Sequence, residues 1–172
     1  MVHLTSRLTK QLADQEIMMQ TQSDIKHNNA ISLLEADHQA VSVLFKKYEK
    51  TTDSADKKEL VSKICSELSI HAQVEEEIFY PQFKIALGDT ELIAEAIVEH
   101  STLKDLIAQV EGKEPDGEMF DAKIKVMSEY VQHHVKEEEG EMFPKAKKSK
   151  MDLEKIGTEI SARKTELKKT KK

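Results

Sequence analysis

The chain has 172 residues, 34% of them charged and 5% aromatic, with five glycines, three prolines and one cysteine. This length is one domain able to bury a core, the composition favours long helices, and a single cysteine, Cys65, excludes an intrachain disulfide framework. The net charge of −6 divides into −13 over residues 1–144 and +7 over residues 145–172, so no nucleic-acid partner is expected of the acidic body, and with neither a membrane-length apolar run nor a signal-peptide core the expected compartment is the cytoplasm.

Residues 1–25 show a loose helical period (Leu4, Leu8, Leu12, Ile17) and are read as an N-terminal helical extension. The first core helix is predicted over about 26–50. Its apolar stripe is Ile31, Leu34, Val41, Phe45 and Tyr48, in steps of three and four that share one face. His38 fills the missing place between Leu34 and Val41. A turn at 51–56 offers Asp53 or Ser54 as helix cap. The second helix runs to about Pro81 or a little beyond, with Leu60, Ile64, Leu68, His71, Glu75 and Ile78 on its seam. Gly88-Asp89-Thr90 breaks the chain.

The third helix covers about 90–111, with seam residues Ile93, Ile97, His100, Lys104 and Ile107. A glycine-bounded loop, 112–117, precedes the fourth. That helix is predicted to run to about Phe143, with Phe120, Ile124, Met127, Val131, His134 and Glu138 inward, and Pro144 is expected to close it. Residues 145–150 read as a basic linker. Residues 151–169 resume a helix that carries Leu153, Ile156, Ile160 and Leu167 on one side, expected to dock outside the bundle. No strand alternation appears, and short loops require antiparallel neighbours. The fold predicted is all-α: an up-down-up-down four-helix bundle over 26–144, flanked by the 1–25 extension and the basic 145–172 helix.

One stretch is written twice. His71-Ala-Gln-Val-Glu75-Glu-Glu-Ile-Phe-Tyr-Pro81 returns as His134-Val-Lys-Glu-Glu138-Glu-Gly-Glu-Met-Phe-Pro144, and an acid–His pair, Asp37-His38 or Glu99-His100, precedes each copy. A His and a Glu four residues apart share a helix face. His71/Glu75 and His134/Glu138 thus each aim an imidazole and a carboxylate at one point, and His38 and His100 complete a set of four His and two Glu. Six polar side chains at one level of a core are costly unless coordinated. Six ligands exceed a tetrahedral zinc site. Imidazole with carboxylate suits iron, with manganese behind it, and two carboxylates able to bridge suggest two metals.

The remaining candidates have plainer readings. Cys65, Met18, Met19, Met127 and Met142 read as packing, and His3 and His27 as surface residues. His133 neighbours His134, but the repeat selects His134. Asp37, Glu76, Glu99 and Glu139 are read mainly as solvated or helix-paired acids, with one of them available to accept from a ligand imidazole.

At His38, His71-x-x-x-Glu75, His100 and His134-x-x-x-Glu138 the sequence resembles the hemerythrin-like, HHE cation-binding family, in its four-His, two-Glu branch. The Glu-Glu-Ile-Phe-Tyr-Pro and Glu-Met-Phe-Pro helix ends and the tail Ile156-Gly157…Ala162-Arg163-Lys164 are also similar, so the resemblance covers about 28–167. It implies a four-helix bundle holding two iron ions with an oxo or hydroxo bridge, Glu75 and Glu138 bridging and the four His as terminal ligands. Two departures from the oxygen-carrying members stand out. Lys104 occupies the place of a fifth His, where it is a candidate to fill the open coordination position, to act beside the centre, or to turn outward. The last helix has His-x-x-x-Glu, with Glu139 at the longer spacing those members use, which leaves Glu138 or Glu139 as its ligand.

The function expected is binding and processing of a small oxidant (dioxygen, hydrogen peroxide or nitric oxide) in oxidative or nitrosative stress defence, with catalase-like or ferroxidase-like turnover as the enzymatic form. The alternative is an oxygen- or iron-binding sensor or storage module, with a protein partner or a weak homodimer through the terminal helices. A metal-free helical adaptor explains length and helix content, but not six polar residues on the seams.

Overall fold

The computed structural model describes residues 29–170, so the N-terminal extension expected at 1–25, with His3, His27, Met18 and Met19, lies outside the described residues. Asn29 caps α1 (Ala30–Lys50), its side chain accepting from the Ser32 N–H at 3.0 Å. Asp53, one of the two caps expected, starts α2 (Ser54–Val74) by accepting from the Ala55 and Asp56 N–H groups. A π-helical turn, Glu75–Phe79, carries α2 without a break into α3 (Tyr80–Leu87). Gly88 ends α3 in the left-handed region (φ 67°), where a side chain would be strained. Next come α4 (Glu91–Val110), α5 (Gly117–Glu137), a second π turn at Glu138–Met142, α6 (Phe143–Lys148) and α7 (Leu153–Thr170). The four rods α1, α2–α3, α4 and α5–α6 form the bundle, joined by short connections, and the described residues contain no strand.

Two apolar clusters fill it, one at each end. The first contains Ile31, Leu34, Phe79, Phe83, Ile93 and Phe143, the second Val41, Phe45, Ile64, Leu103, Met127 and Val131. Between them lies a polar layer of His38, His71, Glu75, His100, His134 and Glu138, all buried. The seams expected of α1 and α5 are buried throughout, as are Cys65, Met127 and Met142.

Three expectations need correction. Pro144 does not close the fourth rod, and 145–148 are helix rather than linker. Pro81 and Pro144 each follow a π turn. A proline lacks the N–H for the i−4 carbonyl and collides with it in an unbroken α-helix. The wider turn absorbs both problems, with the Tyr80 and Phe143 N–H groups bonding back to the Glu75 and Glu138 carbonyls. The extra residue also moves the second seam, so Phe79 rather than Ile78 is fully buried. The α4 seam holds at Ile93, His100 and Ile107 but is one residue off at its other two places. Ile97 is 47% exposed and Lys104 also faces outward, and Ala96 and Leu103 take the inward places on either side of His100.

Helix α7 docks outside the bundle against α1, α2 and the first π turn. Ile156, Ile160 and Leu167 join the cluster that holds Ile70 and Val74. Lys164, Arg163 and Lys168 pair with Asp37, Glu77 and Glu67.

Candidate metal centre

Each bundle rod delivers its polar residues to the same level. His38 comes from α1 and His100 from α4. His71 stands one turn from the end of α2 and His134 one turn from the end of α5, and Glu75 and Glu138 open the two π turns. The i,i+4 spacing puts each His over its Glu. π turns inside α-helices occur frequently at functional sites.

The imidazoles face one another in pairs: His38 Nε2 lies 3.2 Å from His71 Nε2, and His100 Nε2 lies 3.2 Å from His134 Nε2. The carboxylates span the pairs. Glu75 Oε2 is 3.2 Å from His71 Nε2 and 3.4 Å from His100 Nε2. Glu138 Oε2 is 3.2 Å from His38 Nε2 and 3.5 Å from His134 Nε2. Two adjacent groups of metal-ligating atoms result, His38/His71/Glu75/Glu138 and Glu75/His100/His134, with Glu75 common to both.

Every outer ring nitrogen meets a carboxylate. His38 Nδ1 is 2.9 Å from Glu139, His71 Nδ1 3.1 Å from Asp37, His100 Nδ1 2.9 Å from Glu76, and His134 Nδ1 2.7 Å from Glu99. All four acids therefore serve the imidazoles, where the sequence reading gave that role to one. The doubled pattern carried the signal: an acid directly before His38 and His100, and one directly after Glu75 and Glu138. A carboxylate only accepts, so each Nδ1 carries the proton. In a neutral ring Nε2 is then a bare lone pair, and four such lone pairs converge on the layer.

The donor set fits metal. Two Nε2 lone pairs 3.2 Å apart repel unless a cation or proton lies between them. Glu75 Oε1 and Glu138 Oε2 are buried without a well-formed hydrogen bond, a rare state for such atoms. The His–carboxylate pairing outside the layer is the arrangement that orients metal-bound histidines. Glu138 points into the layer at 1% exposure, and Glu139 stands outside it on His38.

The electrostatics are those of a site waiting for positive charge. Burial favours neutral His71, but the charge of Glu75, the hydrogen bonds to Asp37 and Glu75 and the charge of Glu138 carry it up to about 10. Burial likewise opposes the Glu75 carboxylate, but His71 and His100 outweigh it and hold the group well below the usual range. His134 is raised against its own burial by the Glu99 hydrogen bond and the charge of Glu138.

Lys104 lies about half exposed with Nζ 2.8 Å from both oxygens of Glu76, the acid on His100. It stands behind the centre rather than in it. Lys164 of α7 holds the same relation to Asp37, the acid on His71. Tyr80 is the residue that sequence reasoning missed. Its hydroxyl donates to Glu138 Oε1 at 3.0 Å, and its ring stacks on His100 at 5.7 Å. Burial and the charges of Glu75 and Glu138 hold the phenol well above its usual range, so it stays a donor. The repeat places Phe143 at the matching point, stacked on His38, and Tyr80 makes the two halves of the centre unlike.

On the other side the layer borders a small cavity of about 20 Å³. Val41, Leu68, Leu103 and Val131, one from each rod, line it beside the four His. It has room for one molecule of two or three non-hydrogen atoms.

The hemerythrin HHE cation-binding domain profile matches residues 29–146. In structure the chain is similar to a hemerythrin HHE cation-binding-domain-containing protein from Mycobacterium kansasii, with a TM-score of 0.72 and 25% identity over 83% of this chain and 88% of that one. In sequence it is 27% identical over 147 residues to a protein named DNA nickase from Nostoc sp., covering 84% of this chain and 42% of that protein. The chain thus spans less than half the length of that relative.

Proposed function

This chain belongs to the hemerythrin HHE cation-binding family, and we propose that it is a non-haem diiron protein that binds and processes a small oxidant in stress defence. His38, His71, Glu75, His100, His134 and Glu138 would hold the two ions, with Glu75 and Glu138 shared between them. The carrying observation is the pairing of those six buried groups with a cavity of about 20 Å³ walled by aliphatic side chains. That space suits dioxygen, hydrogen peroxide or nitric oxide and is small for a drug-sized organic molecule. When bound there, two irons would supply redox chemistry toward such a molecule. The protein's own residues do the rest. Asp37, Glu76, Glu99 and Glu139 fix the imidazole tautomers, Tyr80 offers a proton donor at Glu138, and the aliphatic wall keeps bulk water out.

The test is oxidant consumption. Protein loaded anaerobically with Fe(II) is expected to remove hydrogen peroxide or dioxygen, and both metal-free protein and Glu75→Ala are expected to be inert. Equal consumption by the metal-free chain contradicts the proposal.

A second reading, a sensor of the same ligands, rests on α7. Lys164 joins that helix through Asp37 to His71, so a change at the centre reaches a surface element that a partner can read. Hydrogen exchange in 153–170 that differs between loaded and metal-free protein supports it; identical exchange removes it. The Nostoc relative's name suggests DNA cleavage, but the open groove beside the centre is lined with glutamates, which repel a phosphate backbone.

A further inference from the structure

The bundle is a repeat of two halves, and its halves differ on the outside. In the first, the groove between α1 and α2 is closed by α7, which buries Ile70 and Val74. The sequence repeat puts His133 where Ile70 stands and Glu137 where Val74 stands. There, among the described residues, the groove between α4 and α5 is open, with a volume of about 820 Å³. Among the described residues its lining includes Glu91, Glu95, Glu99 and Glu129 and no lysine or arginine, whereas acids on the covered side are paired with α7 cations. Open space has thus come together with a change from aliphatic to metal-ligating side chains.

The geometry points to an exterior divalent-cation site at Glu99, His133 and Glu137, through which metal reaches the buried centre. His133 Nε2 is 3.2 Å from Glu137 Oε1 and 3.4 Å from Glu99 Oε1, and the three ligand atoms lie within 4.8 Å of one another. His133 is 60% exposed at the side chain, so an ion here keeps part of its water, as a transfer site requires. The other oxygen of Glu99 is 2.7 Å from His134 Nδ1. Glu99 and Tyr130 line both the outer groove and the inner cavity, so these two side chains are the wall an ion passes. A cleft carrying one sign of charge concentrates counter-ions and speeds their arrival. The ligand class is a hydrated divalent ion of the kind the centre stores, ferrous iron first, because one imidazole and two carboxylates match the donor types within.

The inference rests on the buried centre as the destination, and the experiment separates the two. Full-length protein is titrated anaerobically with Fe(II), following equivalents bound and the rate at which the tight sites fill. Wild type is expected to show a weak equivalent beyond the tight ones. His133→Ala and Glu137→Gln are expected to lose it and to fill the tight sites about tenfold more slowly, the low end of what a focused cleft contributes, with final tight stoichiometry unchanged. Neither variant touches the His134–Glu99 contact. Broadening of the His133 ring protons by Mn(II) in a Glu75→Ala background, read by NMR, reports the outer site with the buried centre disabled. Loss of tight binding in wild type with that broadening retained contradicts the buried centre and leaves the outer site standing. A weak equivalent and a filling rate that both variants retain overturn the inference, as does an unbroadened His133.

Discussion

Glu75 Oε1 and Glu138 Oε2 sit buried without a well-formed hydrogen bond, at a cost of about 1–3 kcal/mol each. Coordination would offset that cost, so ligand binding should appear as stability. Loading with Fe(II) is expected to raise the melting temperature by roughly 10 °C at metal well above its dissociation constant, and Glu75→Gln should remove most of the gain. The His71 proton gives a pH signature. Its folded value of about 10 stands above the ordinary 6.5, so the metal-free fold has this contribution in full below pH about 6.5 and loses it as pH rises through about 10. A metal must displace that proton, so loading at neutral pH should release protons, measurable with an indicator dye; no release contradicts His71 as a ligand. Tyr80→Phe keeps the ring stack on His100 and removes the donor to Glu138. Metal stoichiometry should hold while one of the two affinities falls about tenfold, the usual scale for an outer partner of a ligand.

Among the elements, α1 and α5 were fully legible in the sequence. Ile31 to Tyr48 and Phe120 to Glu138 keep strict steps of three and four, and each such seam had one face to bury. The α4 seam was ambiguous for a physical reason. His100 belongs equally to a stripe with Ile97 and Lys104 and to one with Ala96 and Leu103, and the more apolar Ile97 attracts the reading that packing rejects. The π turns left a weaker mark, a proline six residues past the turn's first position, and without them Ile78 displaces Phe79 from the core. The turns cost ordinary helical hydrogen bonding and return the aim of Glu75 and Glu138. Deleting the exposed Gly140, which restores an α-helical count, should therefore keep the helix content but weaken metal binding. Undiminished loading of that variant would reduce the turn to an accommodation of Pro144. For α7, burial outweighs charge. Ile160 is fully buried, so Ile160→Ala should cost about 2–5 kcal/mol in urea unfolding, and Arg163→Ala, a largely exposed pair with Glu77, no more than about 1 kcal/mol.

Over the whole molecule, two apolar clusters hold the polar layer between them, and the repeat sets its six residues. The six residues of that layer were legible as a set because duplication writes their spacing twice. The acids serving Nδ1 are marked by the same doubling, but which imidazole each meets was not legible, and neither was the role of the Tyr80 hydroxyl, since their partners lie on other helices. No described helix is long and apolar enough to cross a membrane. The acidic open groove predicts that supercoiled plasmid incubated with loaded protein stays supercoiled; nicking that requires the loaded centre would move the function toward that named for the Nostoc relative.

The most direct measurement is iron per chain after anaerobic loading and removal of loosely bound metal, for wild type and for Glu75→Ala. Two tightly held irons in wild type and a clear loss in the variant are predicted by a shared centre between His38/His71 and His100/His134. One iron or none in wild type, or two retained by the variant, would contradict it.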